Sequence, residues 1–152
     1  MGDLLRSILL VEDNPNDREL ILISLEKMRL ANQVTIAHDG AAALDYMFRR
    51  GVYQDRAQGN PALILLDLKL PKVDGLEVLK QIKADPTMQH VPIVMLTSSR
   101  EDKDLVRSYT LGVNAYVVKP VGFTQFVEAI GELAVFWAVL NEPPPGSLRY
   151  RP

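Results

Sequence analysis

The sequence predicts an α/β protein built on a doubly wound, five-stranded parallel sheet. Short apolar runs alternate with helical patterns along the 152 residues. Two of these runs, Ile8–Val11 and Ala62–Leu66, are apolar throughout, which is typical of strands buried on both faces. Acids follow each run at once, as Glu12-Asp13 and as Asp67. Open α/β sheets place their chemistry at this carboxyl edge, so these acids are candidate functional residues.

Five strands are predicted from apolar runs closed by turn formers or polar residues. They are Ser7–Val11, Gln33–Ala37, Leu63–Leu66, Val91–Leu96 and Ala115–Val118. Alternation of strands with helices implies parallel pairing through right-handed crossovers, with helices on both faces of the sheet. Two strand orders fit this (βα)5 pattern, and periodicity does not choose between them.

The first helix has the clearest start signal. Asn14 is a good N-cap residue, and Pro15 suits the first helical position. Ile21, Leu25 and Met28 then recur on one face. The pattern predicts a helix over Asp17–Leu30.

Four more helices are predicted between and after the remaining strands. They are Ala41–Arg50, Leu76–Ala84, Glu101–Leu111 and Thr124–Leu140. Asp85-Pro86 and Gly112 provide stop signals for two of them. The Pro-rich segment from Glu142 to Gly146 cannot continue a helix and is expected to run as an extended arm.

Composition indicates one globular domain over residues 1–152, with a core of about 6–141 and a tail of 142–152. The net charge of −2 gives no bulk electrostatic reason to expect nucleic acid or an anionic membrane as partner. Cysteine is absent, which excludes disulfides, thiolate zinc sites and a cysteine nucleophile. No signal peptide is visible, and no segment is expected to approach the roughly 18 apolar residues of a membrane span. A cytoplasmic location is therefore predicted.

Four strand ends carry residues suited to chemistry. They are Glu12-Asp13, Asp67, Thr97 with Ser98, and Lys119 with Pro120. Parallel strands deliver these acids, a hydroxyl and an ammonium group to one edge of the sheet. Three acids at one edge predict a site for a divalent cation, because hard cations prefer oxygen ligands. Any one of these residues alone would be an ordinary strand-end residue, but together they favour a site.

Four motifs carry a resemblance to a known family. They are Leu10–Asp13, Leu65–Pro71 with Asp74-Gly75, Pro92–Thr97, and Gly112–Pro120. In this order and spacing, over residues 6–135, they resemble the receiver domain of two-component response regulators, similar to the chemotaxis response regulator. The resemblance implies the flavodoxin-like strand order 2-1-3-4-5.

The resemblance also implies roles for the strand-end residues. Asp67 is expected to be the phosphoacceptor for a sensor histidine kinase. Mg²⁺ is expected on Glu12, Asp13, Asp67 and the backbone carbonyl of Lys69. Lys119 would supply positive charge to the transferred phosphoryl group, and Thr97 a hydroxyl donor.

The family further implies a switch. Thr97 moves toward the phosphoryl group and Tyr116 rotates inward, which changes the surface of the fourth helix, fifth strand and fifth helix. Lys69 and Ser99 are expected to flank the path of the hydrolytic water. We expect the long side chain of Lys69 to slow dephosphorylation.

Two departures from a generic receiver suggest a subfamily and an assembly state. Arg50–Asn60 forms an unusually long polar connection, and Leu133–Leu140 is apolar throughout with Phe136 and Trp137 in its middle. With the wording of Leu70–Gly75, these features resemble single-domain regulators paired with phytochrome histidine kinases. The apolar run predicts a homodimer through the last helix, unless the Pro-rich tail folds back over it.

Three other functions remain as alternatives. An aspartyl-phosphate phosphohydrolase would need a second acid two residues after Asp67, where this chain has Lys69. A flavodoxin-like nucleotide binder would need a phosphate loop after the first strand, where the segment from Glu12 is too acidic for an anion. A phosphorylation-independent interaction module would not need the site residues that are present. The receiver reading also implies a phosphoacceptor that assists its own phosphorylation and dephosphorylation, and not an enzyme with a separate substrate.

Overall fold

The computed structural model describes residues 5–147 and 149–150. Its central strands are β1 (Ile8–Val11), β2 (Val34–Ala37), β3 (Leu63–Leu66), β4 (Ile93–Thr97) and β5 (Ala115–Val118). All neighbouring pairs are parallel, in the order β2-β1-β3-β4-β5. The predicted fold class and the order 2-1-3-4-5 are confirmed. Compared with the prediction, β4 begins two residues later and ends at Thr97.

Five helices connect and flank these strands. They are α1 (Pro15–Lys27), α2 (Gly40–Phe48), α3 (Gly75–Ala84), α4 (Asp102–Thr110) and α5 (Phe123–Ala134). Asn14 caps α1 by accepting from the backbone N–H groups of Asn16 and Asp17, with Pro15 at the first position as predicted. Asp39 and Asp74 cap α2 and α3 in the same manner, so three helix starts are fixed by side chains.

The sheet separates two apolar layers because successive strand residues point to opposite faces. On one face, strand residues such as Leu9, Ile64 and Ile93 pack with the inward sides of α2 and α3. On the other, Ile8 and Leu65 share a cluster with apolar residues of α1 and α5. The strand residues of both layers are buried or partly buried and almost all apolar, and the polar residues of the strands lie mainly at their ends.

The helical extension after α5 differs from the single helix predicted over residues 124–140. Residues Val135–Leu140 form a π-helical segment, and the Asn141 N–H donates to the Phe136 carbonyl at 2.7 Å. Arg6 then closes this end: its guanidinium donates to the carbonyls of Val139, at 3.0 Å, and Asn141. It also pairs with Glu142 at 3.4 Å.

The Pro-rich tail does not run as a free arm. The Asn60 N–H donates to the Gly146 carbonyl at 3.0 Å, and Ser147 forms a parallel bridge with Asn60. Beyond it, Arg149–Tyr150 pairs antiparallel with Leu5–Arg6. These backbone hydrogen bonds hold the tail against Asn60 and the segment Leu5–Arg6. Proline content alone does not reveal these contacts. Residues 148 and 151–152 of the predicted tail lie outside the described residues.

The Arg56 side chain makes several of the contacts that hold the long connection 50–60 in place. Arg56 donates from Nε to the Tyr46 carbonyl at 2.6 Å and from Nη1 to the Gly59 carbonyl at 2.9 Å. Its guanidinium also lies 4.2 Å from the centre of the Tyr46 ring. A short 3₁₀ turn, Gly51–Tyr53, opens the connection. The segment is therefore an ordered loop fastened to α2.

The last helix also corrects the sequence reading on membrane spans. Phe123–Leu140 reaches 18 residues with a mean hydropathy of 1.4, which is long and apolar enough to cross a bilayer by length and composition, and 33% of its residues are buried. Its inward residues Phe126 and Ile130 pack in the core, while Glu128 is exposed. Burial of one face in the core explains part of the apolar character of this helix, and its exposed apolar end has no full cover among the described residues.

Candidate functional site

The structure brings the predicted strand-end residues together at the carboxyl edge of the sheet. Carboxylate oxygens of Glu12, Asp13 and Asp67 all lie within 4.8 Å of one another. Backbone hydrogen bonds continue the sheet past the strands: the Asp67 N–H donates to Val11 at 3.0 Å, and the Lys119 N–H to Thr97 at 2.7 Å. The site residues are thus positioned by the sheet and not by flexible loops.

Burial and charge act against each other at Glu12. Its side chain is 1% exposed, and Asp67 is 9% exposed. Burial raises the pKa of Glu12 to about 8, and the hydrogen bond and negative charge of Asp67 add to the shift, while Lys119 opposes it. Burial and the neighbouring Asp67 therefore favour the protonated form of Glu12, and the positive charge of Lys119 favours the ionised form.

Lys119 lies at the centre of this charge. Its Nζ is 2.5 Å from Glu12 Oε1, 2.8 Å from Asp17 Oδ2 and 3.1 Å from Asp67 Oδ2. Burial lowers the pKa of Lys119, but hydrogen bonds with Asp17 and Glu12 and the charge of Asp67 more than offset this, and the net shift is upward. Lys119 is consequently a permanent cation at the site.

Two residues of α1 also belong to the site, and the sequence reasoning missed them. Asp17 contacts Lys119, and Arg18 donates to the backbone carbonyls of Glu12, at 3.1 Å, and Asp13, at 2.8 Å. An available signal was their position in the first turn of a helix that starts directly after Asp13. A helix in that place must point its amino end at the strand ends.

Thr97 and Tyr116 are connected through Ser99. Thr97 is 1% exposed, and its Oγ1 accepts from the Ser99 N–H at 3.1 Å. The Tyr116 hydroxyl donates to the Ser99 carbonyl at 3.1 Å, and the Ser99 hydroxyl donates to Asp104 of α4 at 2.6 Å. Burial, with nearby acids including Asp104, raises the pKa of Tyr116. Movement of Thr97 would therefore disturb the contacts that Ser99 makes with Asp104 of α4 and Tyr116 of β5.

The segment after β3 approaches the site closely. A Cβ on Gly75 would lie 2.2 Å from the Asp67 carbonyl oxygen, so only glycine fits there. Lys69 is exposed and lines a cleft of about 510 Å³ together with Asp13 and Arg107. This places the side chain of Lys69 beside the mouth of the site, whereas the role of its carbonyl as a ligand stays a prediction. Ser99, the other predicted tuning residue, is buried.

The donor set fits a divalent cation. Three carboxylates within 4.8 Å of one another supply hard oxygen ligands, and the exposed Asp13 leaves the group open to solvent. Mg²⁺ keeps several waters and needs only one or two carboxylates, so this partly open cluster suits it. A cation there would also relieve the repulsion between Glu12 and Asp67.

A five-stranded sheet of this order with acids, a hydroxyl and a lysine at its carboxyl edge defines the receiver class of signalling domains. The profile of the response regulator receiver domain family matches residues 8–131, and the chain belongs to that family. It is a receiver-domain response regulator of two-component signalling.

Sequence relatives cover nearly the full chain. The probable methanogenesis regulatory protein FilR2 of Methanothrix harundinacea is 38% identical over 94% of each chain. Response regulator Rcp1 of Synechocystis sp. is 38% identical over 86% of this chain and 87% of its own.

Solved structures show the same fold and point to phytochrome-associated relatives. The phosphorylated cyanobacterial phytochrome response regulator RcpA matches with a TM-score of 0.86 and 38% identity, over 92% of this chain and 99% of that chain. The Mn²⁺-bound form of Rcp1 gives 0.82 at 35% identity, over 91% and 99%. The bacteriophytochrome response regulator RtBRR gives 0.74 at 62% identity, over 94% and 86%. Divalent metal binding is thus seen in a relative, and the acidic cluster here offers the matching place.

Proposed function

We propose that this protein is a single-domain response regulator that accepts a phosphoryl group from a sensor histidine kinase on Asp67. The observation that carries the proposal is the position of Asp67. One of its oxygens lies 3.1 Å from the Lys119 ammonium group, and its carboxylate shares a cluster with Glu12 and Asp13. A carboxylate that belongs to a candidate metal site and contacts a fixed cation supports the role of Asp67 as nucleophile.

The proposed transfer is a displacement at phosphorus. An Asp67 carboxylate oxygen attacks the phosphorus of a phosphohistidine, the P–N bond breaks, and the imidazole nitrogen keeps the electron pair. Lys119 neutralises charge on the phosphoryl oxygens, and the Thr97 hydroxyl donates to one of them. A divalent cation held by Glu12, Asp13 and Asp67 supplies further positive charge there when it is bound.

The switch follows from the contacts of Thr97. When its hydroxyl turns to the phosphoryl group, it gives up the Ser99 N–H, which it accepts at 3.1 Å in this structure. The segment that carries Ser99 also holds the Tyr116 hydroxyl and Asp104. Rearrangement of this segment is the proposed route from Asp67 to the surface of α4, β5 and α5.

A phytochrome-type histidine kinase is the proposed partner, and the cytoplasm the proposed location. The support is the similarity to regulators whose names state a phytochrome or bacteriophytochrome context, at 38% and 62% identity. The proposed unit is a single receiver domain over residues 1–152 that acts as phosphoacceptor and assists its own dephosphorylation. In this proposal the protein is itself the molecule that is phosphorylated and dephosphorylated, and it acts on no separate substrate.

We also propose a homodimer through the end of the last helix. Phe136, Val139 and Leu140 are 51%, 50% and 70% exposed, so the described part of the tail, up to Ser147, leaves much of their surface uncovered. Trp137 packs against Phe136 edge to face, with ring centres 5.0 Å apart. A second copy would remove this apolar patch from water, with twofold symmetry as the usual arrangement.

The phosphoacceptor assignment is tested with phosphoramidate as a kinase-independent donor. Wild type with Mg²⁺ is expected to gain one acid-labile phosphoryl group in its intact mass, and Asp67→Asn is expected to gain none. Asp74→Asn serves as the matched control, because Asp74 follows in the same loop but caps α3. Stoichiometric labelling of Asp67→Asn would refute the assignment, and an unlabelled wild type would favour the interaction-module alternative.

A further inference from the structure

Three carboxylates share the ammonium group of Lys119. Glu12, Asp17 and Asp67 each place an oxygen 2.5–3.1 Å from Nζ. An ammonium group has three N–H donors, so each donor can have its own acceptor. The Lys119 side chain is 9% exposed, and protein oxygens rather than water therefore determine where the charge lies.

Two of these three carboxylates are also candidate metal ligands. Glu12 and Asp67 belong with Asp13 to the cluster that suits a divalent cation. A cation there would draw their oxygens toward itself and repel the Lys119 ammonium group. Among the described residues, Asp17 is the carboxylate partner of Lys119 that lies outside this cluster.

The position of Asp17 is fixed by α1. Its backbone N–H donates to the Asn14 side chain at 3.1 Å, which places it in the first turn of the helix. Negative charge is favoured there by the unpaired N–H groups and the helix dipole. Asp17 is 27% exposed in its side chain and is thus a partly buried, well-placed anion.

We propose that Asp17 is a positioning residue that holds Lys119 within reach of the phosphoryl group while Glu12 and Asp67 face the metal. This inference rests on the proposed phosphoacceptor function. Asp17 touches neither the phosphoryl group nor the metal, and acts through Lys119 alone. Its loss should leave the carboxylate cluster intact but allow the Lys119 side chain to move away.

A double-mutant cycle on the phosphorylation rate tests this dependence. Asp17→Asn is expected to slow labelling by phosphoramidate about tenfold when Lys119 is present, because small misplacements of a catalytic group are costly. In the Lys119→Ala background the same substitution should have no further effect. Asp17→Glu should recover part of the rate, and Asp102→Asn, an exposed acid in the first turn of α4, should match wild type. Equal slowing in both backgrounds would overturn the proposal.

Urea unfolding without Mg²⁺ provides a readout that does not depend on activity. Asp17→Asn should lower the unfolding midpoint when Lys119 is present, because it removes an ion pair. With Lys119→Ala it should lower the midpoint less or not at all, because only the favourable interaction with the helix dipole is lost and a charge near two other acids is removed. A midpoint lowered equally in both backgrounds would overturn the proposal. If Lys119→Ala is labelled too slowly for its rate to be measured, the unfolding cycle is the deciding test.

The two proposals fail in different ways. A wild type that is labelled and an Asp67→Asn variant that is not would leave the phosphoacceptor assignment standing. Mg²⁺ affinity measured by calorimetry should then change less than twofold in Asp17→Asn, since Asp17 is not a ligand. An Asp17→Asn variant that phosphorylates at the wild-type rate would remove the positioning role alone.

Discussion

Glu12 has a carboxyl group that the fold places where ionisation is costly. It is 1% exposed and adjacent to Asp67, and its pKa rises from 4.5 to about 8. The sequence indicated the acid and its edge of the sheet correctly. It could not indicate the depth of burial, which depends on contacts with residues distant along the chain, including Asp67 and Lys119.

This shift predicts that stability without divalent cations falls as pH rises. Between pH 4.5 and about 8 the unfolded chain has released the Glu12 proton and the folded chain retains it, so raising the pH favours unfolding. At 1.4 kcal/mol per pH unit, the contribution of Glu12 falls by up to about 4 kcal/mol between pH 5 and 8. Urea unfolding in EDTA at several pH values measures the slope. Glu12→Gln should flatten it, and an equal slope in that variant would assign it to other groups.

The same proton should appear when the metal binds. Glu12 must be ionised to act as a ligand, so binding of Mg²⁺ at pH 7 is expected to release up to about one proton. Calorimetric titration in buffers with different heats of ionisation measures this number. Glu12→Gln should reduce the release.

Asp13→Ala should weaken Mg²⁺ binding and also reduce the rise in melting temperature that Mg²⁺ causes. An undiminished rise in this variant would place the ion elsewhere.

Lys69 is expected to shield the acyl phosphate from water. Its exposed side chain lines the cleft beside Asp13, and it follows Asp67, the proposed phosphoacceptor, by two residues. Lys69→Ala should therefore shorten the lifetime of the phosphorylated protein several-fold, as followed by loss of phosphoryl mass after donor removal. Lys72→Ala is a suitable control, because Lys72 pairs with Asp39 at 3.5 Å. An unchanged or longer lifetime for Lys69→Ala would contradict shielding.

At the level of elements, glycines mark where helices meet their neighbours. Gly75 begins α3 against the Asp67 and Leu68 backbone, whereas Gly131 lies in α5 with its nearest side chain, Ser24, at 3.5 Å. Both residues are helical glycines, but only one has room for a methyl group. The sequence shows them as equivalent, because the difference depends on contacts between distant parts of the chain.

The two glycines are expected to respond oppositely to alanine. Gly75→Ala places a Cβ 2.2 Å from backbone and should cost about 1–3 kcal/mol of unfolding free energy, with slower phosphorylation because Asp67 is displaced. Gly131→Ala meets only ordinary contacts and should be neutral or stabilise the helix by up to about 1 kcal/mol. Urea denaturation of both variants measures the difference. Equal destabilisation would contradict the prediction that Gly131 has room for a methyl group and Gly75 does not.

The elements also show where sequence reasoning reaches its limit. Runs such as β3 and β5 were located to the residue, because apolar periodicity and strand burial are local properties. The strand order came from the family resemblance, since two orders satisfy the same pattern. The π-helical segment Val135–Leu140 and the pairing of Arg149–Tyr150 were not foreseen. Both depend on contacts with the amino-terminal strand, including the Arg6 guanidinium.

At the level of the whole molecule, the exposed apolar patch predicts self-association. Fully burying one large apolar side chain is worth about 1.5–3 kcal/mol, so several such residues can offset the entropy lost on association. Sedimentation equilibrium should show a dimer for wild type and a monomer for Phe136→Asp combined with Trp137→Asp. Val52→Asp is the matched control, since Val52 is 91% exposed and lies in the 50–60 connection. A monomeric wild type at tens of micromolar would contradict the dimer.

The pairing of Leu5–Arg6 with Arg149–Tyr150 makes the chain suitable for circular permutation. Antiparallel partners lie about 5 Å apart, so a short glycine linker could join the two segments into a closed loop. New ends opened beside the exposed Val52 would then start and finish in the loop that precedes β3. A circular permutant of this kind should fold and accept phosphate at the wild-type rate. It would carry any fused reporter at the 50–60 connection, at the edge of the sheet opposite Asp67.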